Sequence, residues 1–333
     1  MDLNGKKIVV IGGAGLIGSH VVDELLKTSV REIVVYDNFT RGTPENLTDA
    51  LRDKRVSVFP HGGDILQTDL LDQAVAGADG VVHLAALWLL HCHEYPQSAF
   101  EVNIRGTFNV LEACRRHKVA RLVYSSSASV YGDAVAEPMT EEHPYNNWTF
   151  YGATKIAGEH MLKAYHKRYG LNAVGLRYMN IYGPRQDYMG AYVAVMMKIL
   201  DAIDRGERPK VFGDGSQAYD FIHVADAARA NVCALKSDCA FGFFNVGRGI
   251  KTSIKDLAEL LLRLSGRPEL GLQFEPAGQT FVTNRVGDPK AAREKLGFQW
   301  STELEAGMRS LIEWRRGHRE ALAARRRAAG LAP

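Results

Sequence analysis

A glycine-rich run stands between the first apolar segment of the chain and the first amphipathic one. Lys7–Ile11 (KIVVI) has the composition of a buried strand, and Leu16–Lys27 repeats apolar residues at helical spacing. The run between them contains Gly12, Gly15 and Gly18. Glycines at such a junction let the backbone turn tightly and approach a diphosphate, whose charge the helix N-terminus stabilises. This unit predicts a dinucleotide-binding turn.

The same alternation continues through the first half of the chain and predicts a doubly wound, parallel α/β sheet of Rossmann type. Strands are expected at Glu32–Asp37, Val56–Phe59, Gly80–Ala85, Arg121–Ser125 and Ala173–Arg177, and helices at Asp69–Ala76, Ser98–His117 and Tyr151–Tyr169. Later helices are expected near Ala191–Arg205 and at Ser253–Leu264, where Ser253 and Asp256 form a capping box variant. We therefore expect a nucleotide-binding domain at 1–180, to which a strand and a helix near 210–250 are added. A smaller, interleaved substrate lobe is expected mainly at 181–314, and a basic tail at 315–333.

Composition excludes several classes of protein. Of the 333 residues, 46% are apolar and 24% are charged, which is typical of a globular protein and unlike disordered, collagen-like or coiled-coil chains. The net charge is +3, but six arginines lie in 315–333 and the rest is slightly acidic. This pattern argues against a nucleic-acid partner, and we interpret the tail as a solvated helix end.

Cysteine usage and hydropathy bear on the compartment. The four cysteines form no C-x-x-C pair, which predicts neither disulfides nor a zinc site. The longest apolar stretch, Val81–Leu90, is about half of what a membrane-spanning helix requires. The first 18 residues lack the pattern of a cleavable signal. We therefore expect a cytoplasmic protein with no membrane partner.

Asp37 indicates which dinucleotide is bound. It ends the second predicted strand, 19 residues after Gly18. A carboxylate at this position hydrogen-bonds the adenosine ribose hydroxyls and repels a 2′-phosphate, which favours NAD over NADP. Arg41 follows four residues later as a potential 2′-phosphate ligand, so NADP stays open as the alternative.

Tyr151 and Lys155 are the strongest candidates for catalysis. They lie four residues apart at the start of a predicted helix, so their side chains share one face. An ammonium beside a phenol stabilises phenolate and lowers the pKa of the tyrosine, which can then act as a base near neutral pH. Upstream, Ser125–Ser127 ends a predicted strand at the sheet edge where ligands bind in this fold class.

The Gly-x-x-Gly-x-x-Gly turn, the serines and the Tyr-x-x-x-Lys pair resemble the extended short-chain dehydrogenase/reductase family, specifically its nucleotide-sugar epimerase and dehydratase branch. The resemblance extends to about Trp314. It implies that Ser127, Tyr151 and Lys155 form the catalytic triad. Tyr151 would remove the proton of a sugar hydroxyl while hydride leaves for NAD, Ser127 would hydrogen-bond the same oxygen, and Lys155 would hold the nicotinamide ribose.

The resemblance also implies the ligand contacts, with no metal. The NAD-binding positions would be Gly12, Gly15, Leu16, Ile17, Gly18, Asp37, Asn38, Asp64, Ile65, Leu84, Ala85, Ala86, Asn103, Ser125, Tyr151, Lys155 and Tyr178. Among them, Asp64–Ile65 would hold the adenine and Tyr178 would lie beside the nicotinamide. The candidate substrate-binding positions are Trp88, Ser127, Asn180, Val211, Tyr219 and Arg285; Trp88 and Tyr219 depart from the family pattern, and Arg285 is the nearest candidate for a family arginine that is not in register. Asn180 would contact the diphosphate, Val211 belongs to a segment that covers the base, and Asp187–Val195 resembles epimerases acting on UDP-sugars.

Two departures from the family pattern decide between its activities. Dehydratases of the family carry an Asp-Glu pair directly after the catalytic serine or threonine, where this chain has Ala128 and Ser129. This difference favours 4-epimerisation through a 4-keto sugar with recycled NAD. Tyr219 stands where the family usually has a diphosphate-binding arginine, and tyrosine cannot replace that charge. Either another arginine compensates (Arg177, Arg185, Arg248 or Arg285), or the substrate is an atypical sugar.

Other interpretations stay open. A dehydratase, decarboxylase or dehydrogenase acting on an atypical sugar is the alternative enzyme, and a non-catalytic NAD-sensing protein is a third possibility. His91, Cys92 and His93 have metal-capable atoms, but two histidines alone favour no metal site. Trp88 would either stack on a sugar or cover the core. The resemblance also implies a homodimer, paired through the helices expected at Ser98–His117 and Tyr151–Tyr169.

Overall fold

The computed structural model describes residues 1–186, 195–277 and 283–328, and we refer to these ranges below. Its strands are β1 (Lys7–Ile11), β2 (Glu32–Tyr36), β3 (Val56–Val58), β4 (Gly80–His83), β5 (Arg121–Ser127), β6 (Ala173–Tyr178), β7 (Asn180–Tyr182), β8 (Lys210–Phe212), β9 (Ala218–His223), β10 (Phe241–Val246), β11 (Lys251–Ser253), β12 (Gln273–Glu275) and β13 (Asn284–Arg285). Seven of these strands form a parallel sheet in the order β10-β6-β5-β4-β1-β2-β3. The predicted fold class, a doubly wound α/β sheet, is therefore confirmed.

The helices of the chain cover both faces of this sheet or belong to a smaller layer described below. They are α1 (Leu16–Leu26), α2 (Thr68–Val75), α3 (Leu89–Glu94), α4 (Pro96–Ala99), α5 (Thr107–Arg116), α6 (Phe150–Tyr169), α7 (Val195–Asp204), α8 (Val224–Lys236), α9 (Ile254–Leu264), α10 (Lys290–Leu296), α11 (Leu304–Gly317) and α12 (Arg319–Ala328). Alternate side chains of a strand point to opposite faces. Accordingly, Ile8 and Val10 join a core that includes α1 and α8, whereas Val9 and Ile11 join one that includes α2, α5 and α6.

The strand order reverses beside β1, because the chain builds β2 and β3 on one side of it and β4 to β6 on the other. In open α/β sheets, ligands bind at the carboxyl ends of the strands next to such a reversal. The sheet therefore directs attention to the segments that follow β1, β4 and β5.

The helix expected at Ser98–His117 is not continuous. A π-helical stretch, Phe100–Gly106, separates α4 from α5. Gly106 ends this stretch, and a Cβ there would lie only 2.4 Å from Cδ1 of Ile65. The stretch also carries Asn103, whose buried side chain faces the predicted site. Single π turns inside helices often occur at functional sites.

The second half of the chain returns to the sheet and also builds a smaller layer. β10 extends the sheet beside β6, and α8 packs on α1. β9 pairs with β7, β11 and β13, and β8 pairs with β12. A separate core joins α7, α9 and α11, and Ser253 caps α9 by accepting from the Asp256 N–H.

The basic tail is not simply a solvated helix end. Arg315, its first residue, is 9% exposed and donates to Asp201 and Asp204 at 2.8 and 2.6 Å. The interpretation was wrong for this residue because an acidic pair on α7 meets it. Within the ranges given above, we find no helix long and apolar enough to cross a membrane.

Candidate active site

The glycine-rich turn joins β1 to α1. Gly12 has a φ of +79°, and a Cβ there would lie 2.8 Å from the Ala85 nitrogen. A Cβ on Gly18 would lie 2.1 Å from the Gly12 oxygen, so only glycine fits at either position. At Gly15 a Cβ would meet only one atom, at 3.4 Å, which leaves that side of the turn open.

No side chain caps the N-terminus of α1. The N–H groups of its first turn, at Leu16, Ile17 and Gly18, have no intrahelical acceptor and carry the positive end of the helix dipole. Open space beside Gly15 and free backbone donors are what a dinucleotide diphosphate requires. The residues present therefore fit the predicted cofactor.

Asp37 is held beside this turn. Its carboxylate accepts from the N–H groups of Ala14 and Phe39, both at 2.8 Å. Burial raises the pKa of Asp37, and these two backbone donors oppose that increase. The next residue, Asn38, is exposed and accepts from the Thr40 N–H at 3.1 Å. The carboxylate thus lies at the β2 end of the cleft, where the sequence places the adenosine ribose.

Asp64 and Ile65 follow β3 and are fixed through their backbones. The Tyr36 hydroxyl donates to the Asp64 carbonyl at 2.7 Å, and the Asn109 amide donates to the Ile65 carbonyl at 2.9 Å. The Asp64 carboxylate accepts from the Leu66 N–H at 2.9 Å. This arrangement places both predicted adenine contacts on the β3 side of Asp37.

The segment after β4 lies along the other side of the turn. It contains Leu84, Ala85 and Ala86, all partly exposed, and the Leu84 N–H donates to the Ile11 carbonyl at 2.8 Å. Asn103 fixes the next residue by accepting from the Leu87 N–H at 2.7 Å and donating to the Leu87 carbonyl at 3.1 Å.

Asn103 also donates to the Thr154 hydroxyl of α6 at 3.1 Å. It therefore couples the β4 segment to the helix that carries Tyr151 and Lys155.

Ser127, Tyr151 and Lys155 lie together at the ends of β5 and α6. Ser127 lies close enough to the Tyr151 hydroxyl to lower its pKa, and its own hydroxyl accepts from the Ser129 N–H at 3.1 Å. The Lys155 Nζ lies 5.6 Å from the centroid of the Tyr151 ring and donates to the Ser125 carbonyl at 2.7 Å. The fold thus assembles the three side chains that the sequence predicts to act as one site.

The pKa of Tyr151 differs from the sequence expectation. Burial raises it to about 12, and the hydrogen bond with Ser127, together with Arg41 and Arg285, opposes the increase only in part. Burial also lowers the pKa of Lys155 to about 8. The expectation that Lys155 lowers the pKa of this phenol was wrong, because both groups are desolvated and the ammonium donates to the Ser125 carbonyl.

A buried ion pair lies directly behind the triad. Glu159, one turn after Lys155 on α6, accepts from Arg177 of β6 at 2.9 and 2.7 Å, and both side chains are almost inaccessible to solvent. The same carboxylate accepts from the Ser126 hydroxyl at 2.5 Å and from the Tyr145 hydroxyl at 2.8 Å. Sequence analysis missed Glu159, although it continues the Tyr151–Lys155 spacing by one more turn.

Tyr178 and Asn180 lie where β6 passes into β7. Tyr178 pairs in register with Ser127, which places it at the same edge of the sheet. Its hydroxyl donates to Asn231 at 2.9 Å inside the core, so the predicted contact with the nicotinamide concerns the ring. Asn180 is partly exposed and pairs with Phe221. Both ligand contacts stay predictions.

Trp88 faces Arg41 across the turn. The Arg41 guanidinium carbon lies 3.7 Å from the centroid of the Trp88 ring. Arg41 is therefore engaged with the β4 side, which argues against the alternative role as a ligand of a 2′-phosphate at Asp37. We find no cluster of His, Cys, Asp or Glu that could hold a metal ion in the described part of the chain, including His91–Glu94.

The Val211 side chain is fully buried in β8, where it joins the core of the small layer. Side chains alternate along a strand, so only the backbone of Val211 is left for the predicted contact with the base, which stays a prediction. Phe212, the next residue of β8, is 53% exposed. The segment Asp187–Val195 begins outside the described residues.

Three of the four arginines proposed to compensate for Tyr219 are engaged elsewhere. Arg177 pairs with Glu159, Arg185 contacts Asp23 at 2.8 Å, and Arg248 packs on Trp300 at 5.0 Å and contacts Glu303 at 3.4 Å. Arg285 pairs in register with Tyr219, on the adjacent parallel strand. Directly paired residues project from the same face of a sheet. Arg285 is thus the arginine that the fold places beside the substituted position.

The parallel sheet and its glycine-rich turn define a Rossmann-type dinucleotide-binding protein. A profile of the NAD dependent epimerase/dehydratase family matches residues 8–247. A putative UDP-glucose 4-epimerase of Methanocaldococcus jannaschii is 33% identical to this chain over 317 residues, covering 92% of this chain and 97% of that protein.

Solved structures agree. A UDP-N-acetylglucosamine 4-epimerase from Methanobrevibacter ruminantium M1, in complex with UDP-N-acetylmuramic acid, superposes with a TM-score of 0.88 at 30% identity, covering 95% of this chain and 99% of that chain. A dTDP-glucose 4,6-dehydratase from Streptomyces venezuelae, solved with NAD bound, gives a TM-score of 0.85 at 27% identity, covering 95% and 98%. This chain belongs to the NAD-dependent epimerase/dehydratase family, and its cofactor is NAD.

Proposed function

We propose that the chain is a nucleotide-sugar 4-epimerase, with a UDP-sugar as the favoured substrate. The observation that carries the proposal is that Ser127, Tyr151 and Lys155 lie together next to two residues that cannot serve elimination. Where the resembling dehydratases carry Asp-Glu, this chain has Ala128 and Ser129, both buried. Neither side chain can protonate a departing hydroxyl at physiological pH. Oxidation and reduction at one carbon need only the triad.

Each residue of the triad has a distinct task in this proposal. Bound NAD supplies the chemistry of accepting a hydride from C4 of the sugar and returning it. Tyr151 accepts the proton of the C4 hydroxyl as the carbon is oxidised and gives it back on reduction. Ser127 hydrogen-bonds the same oxygen throughout. Lys155, held by the Ser125 carbonyl at 2.7 Å, adds positive charge behind the phenol. Between the two steps the 4-keto sugar rotates in the site, so that the hydride returns to the opposite face of C4.

The substrate assignment rests on Arg285. A guanidinium binds a diphosphate with two parallel hydrogen bonds, and Arg285 lies in register beside Tyr219, where the family arginine is missing. Its positive charge also lowers the pKa of Tyr151, so the two groups are close enough to interact electrostatically. Two of the three relatives described above carry a UDP-sugar in their names, and the third is a dTDP-glucose 4,6-dehydratase. These observations favour a UDP-sugar.

Tyr219 is the reason to consider one alternative enzymatic activity. A dehydratase, decarboxylase or dehydrogenase acting on an atypical sugar would explain the exchange of arginine for tyrosine. The deciding experiment incubates the purified protein with UDP-glucose, UDP-N-acetylglucosamine, UDP-glucuronic acid or dTDP-glucose and identifies products by NMR and mass spectrometry. A C4 epimer of unchanged mass with no net NADH is the expected result. Loss of water or carbon dioxide, or accumulation of NADH, would instead establish the alternative.

The homodimer belongs to the same proposal. Large aromatic side chains are exposed on α5, on α6 and on the π-helical stretch, the part of the fold expected to pair. They include Phe100, Phe108, Phe150 and Tyr169. Exposed apolar patches of this kind mark interaction surfaces. A second copy of the chain would cover them through a four-helix bundle.

A further inference from the structure

Two segments on opposite sides of the glycine-rich turn contact each other. The order β4-β1-β2 places the turn after β1 between the segment after β2, which carries Arg41, and the segment after β4, which carries Trp88. The guanidinium carbon lies 3.7 Å from the centroid of the indole, the geometry of a cation–π contact. This contact therefore spans the turn.

Both segments are also packed against the turn at their bases. A Cβ on Gly42 would lie 2.7 Å from the carbonyl carbon of Ala14, and one on Gly12 would lie 2.8 Å from the nitrogen of Ala85. Together with the cation–π contact, these two close approaches form a closed ring of contacts around the glycine-rich turn. A ligand that extends across the turn from the β2 side to the β4 side passes through this ring of contacts.

The two sides of this ring of contacts differ in their surroundings. Trp88 contacts His91 at 4.9 Å between ring centroids, His91 contacts Tyr95 at 5.1 Å, and Asn103 fixes Leu87 with two hydrogen bonds. Residues 38–40, just before the arginine, are exposed. The arginine side is therefore the more solvent-exposed of the two.

We propose that Arg41 and Trp88 form a clasp that closes over the diphosphate of bound NAD and slows its release. The adenosine end is assigned to Asp37, beyond β2, and the nicotinamide end to Tyr151, beyond β4, so the diphosphate crosses the turn beneath the clasp. The guanidinium places a positive charge above it. Release of NAD requires separation of the two side chains. The inference rests on the cofactor and holds for any sugar substrate.

The test measures cofactor release rather than turnover. Protein loaded with NADH is mixed with excess NAD, and the dissociation rate constant is read from the change in NADH fluorescence. Arg41→Ala and Trp88→Ala should each raise this constant about 5- to 30-fold, as expected for loss of a partly desolvated cation–π contact. Arg41→Lys should show an intermediate rise, because the charge remains and the planar stacking is lost.

The double variant separates a clasp from two independent contacts. If the two side chains act through each other, Arg41→Ala combined with Trp88→Ala should release NADH no faster than the quicker single variant. An unchanged release rate in Arg41→Ala, or a double effect equal to the product of the single effects, would overturn the proposal.

Arg52→Ala is the matched control. Arg52 also follows β2, and its side chain is 77% exposed. The Arg52→Ala variant should therefore release NADH at the same rate as the unmodified protein. Thermal unfolding without cofactor establishes that each variant is folded. Trp88→Phe is a second test of the tryptophan. Because it retains an aromatic ring, it should raise the dissociation rate constant of NADH less than Trp88→Ala does.

Discussion

At the scale of single residues, burial governs the protonation of the catalytic groups. Tyr151 and Lys155 are both enclosed, and the pKa of the phenol is raised to about 12 while that of the ammonium is lowered to about 8. A further positive charge beside the phenol would favour phenolate. The nicotinamide ring of oxidised NAD carries such a charge, so we expect Tyr151 to become a competent base only in the loaded protein.

Removal of the phenolic oxygen tests the catalytic assignment. Tyr151→Phe should lower turnover by at least about 100-fold, because general base catalysis contributes at least that much. Tyr169→Phe, at the exposed end of the same helix, is the control and should retain full activity. Equal activity of the two variants would instead favour the non-catalytic, NAD-sensing interpretation.

Lys155 predicts a pH dependence of stability. Its pKa of about 8 in the folded protein lies below that of an exposed lysine, about 10.4, so the folded state binds fewer protons between these values. The free energy of unfolding therefore gains from this group as pH rises from 8 to 10.4, and the full cost of the buried charge is present below pH 8.

Lys155→Met should be more stable than the unmodified protein by about 1–3 kcal/mol at pH 7, with a smaller difference at pH 9.5. Urea denaturation at the two pH values measures both quantities. Lys163→Met, at an exposed position of the same helix, should change little at either pH. A Lys155→Met protein that is equally destabilised at both pH values would contradict the burial argument.

The sequence predicts local arrangements of residues well and their environments poorly. The Tyr151–Lys155 spacing, the glycines and Asp37 depend on neighbours in the chain, and the fold brings them together as expected. The direction of the Tyr151 pKa depends on how many distant atoms exclude water, which spacing does not encode. Val211 shows the same limit, since which face of a short strand is buried depends on the layer beneath it.

At the scale of secondary-structure elements, the Glu159–Arg177 pair ties α6 to β6 directly behind the catalytic serine and lysine. Removing one partner of a buried ion pair leaves an uncompensated charge and typically costs about 3–5 kcal/mol. Glu159→Gln should therefore lower the free energy of unfolding by about that amount, measured by urea denaturation.

The surface supplies a matched control for this pair. Glu207 contacts Arg205 at 2.8 Å with both side chains about half exposed, so Glu207→Gln should cost less than about 1 kcal/mol. Combining Glu159→Gln with Arg177→Met should cost less than the sum of the two single changes, because neither charge is then left alone. Equal losses for Glu159→Gln and Glu207→Gln would contradict the proposed role of burial.

Elements defined by periodicity were predictable, and their interruptions were not. β1 and α1 follow from apolar spacing alone. The π-helical stretch 100–106 has the composition of an ordinary helix, and its last residue, Gly106, lies against Ile65, which is far away in sequence. Contacts of that kind arise only when the sheet is assembled.

At the scale of the whole molecule, the exposed aromatic face predicts self-association. Phe108→Glu, on α5, should convert the proposed dimer to a monomer at micromolar concentration, because it places a charge where apolar area would be buried. Sedimentation velocity measures the change. Leu51→Glu, at another exposed apolar position, should leave the dimer intact. An unmodified protein that sediments as a monomer would refute the dimer.

β10 lies about 60 residues after β6 in the sequence but is its partner in the sheet, which affects any attempt to produce the first half of the protein alone. β6 (AVGLRY) is completely buried, and its outer edge is paired only once residues 241–246 are in place. A fragment that ends near residue 180 would leave a row of unsatisfied amides and carbonyls beside an apolar strand, which is a template for intermolecular pairing. Such a fragment should precipitate rather than yield a free-standing NAD-binding module.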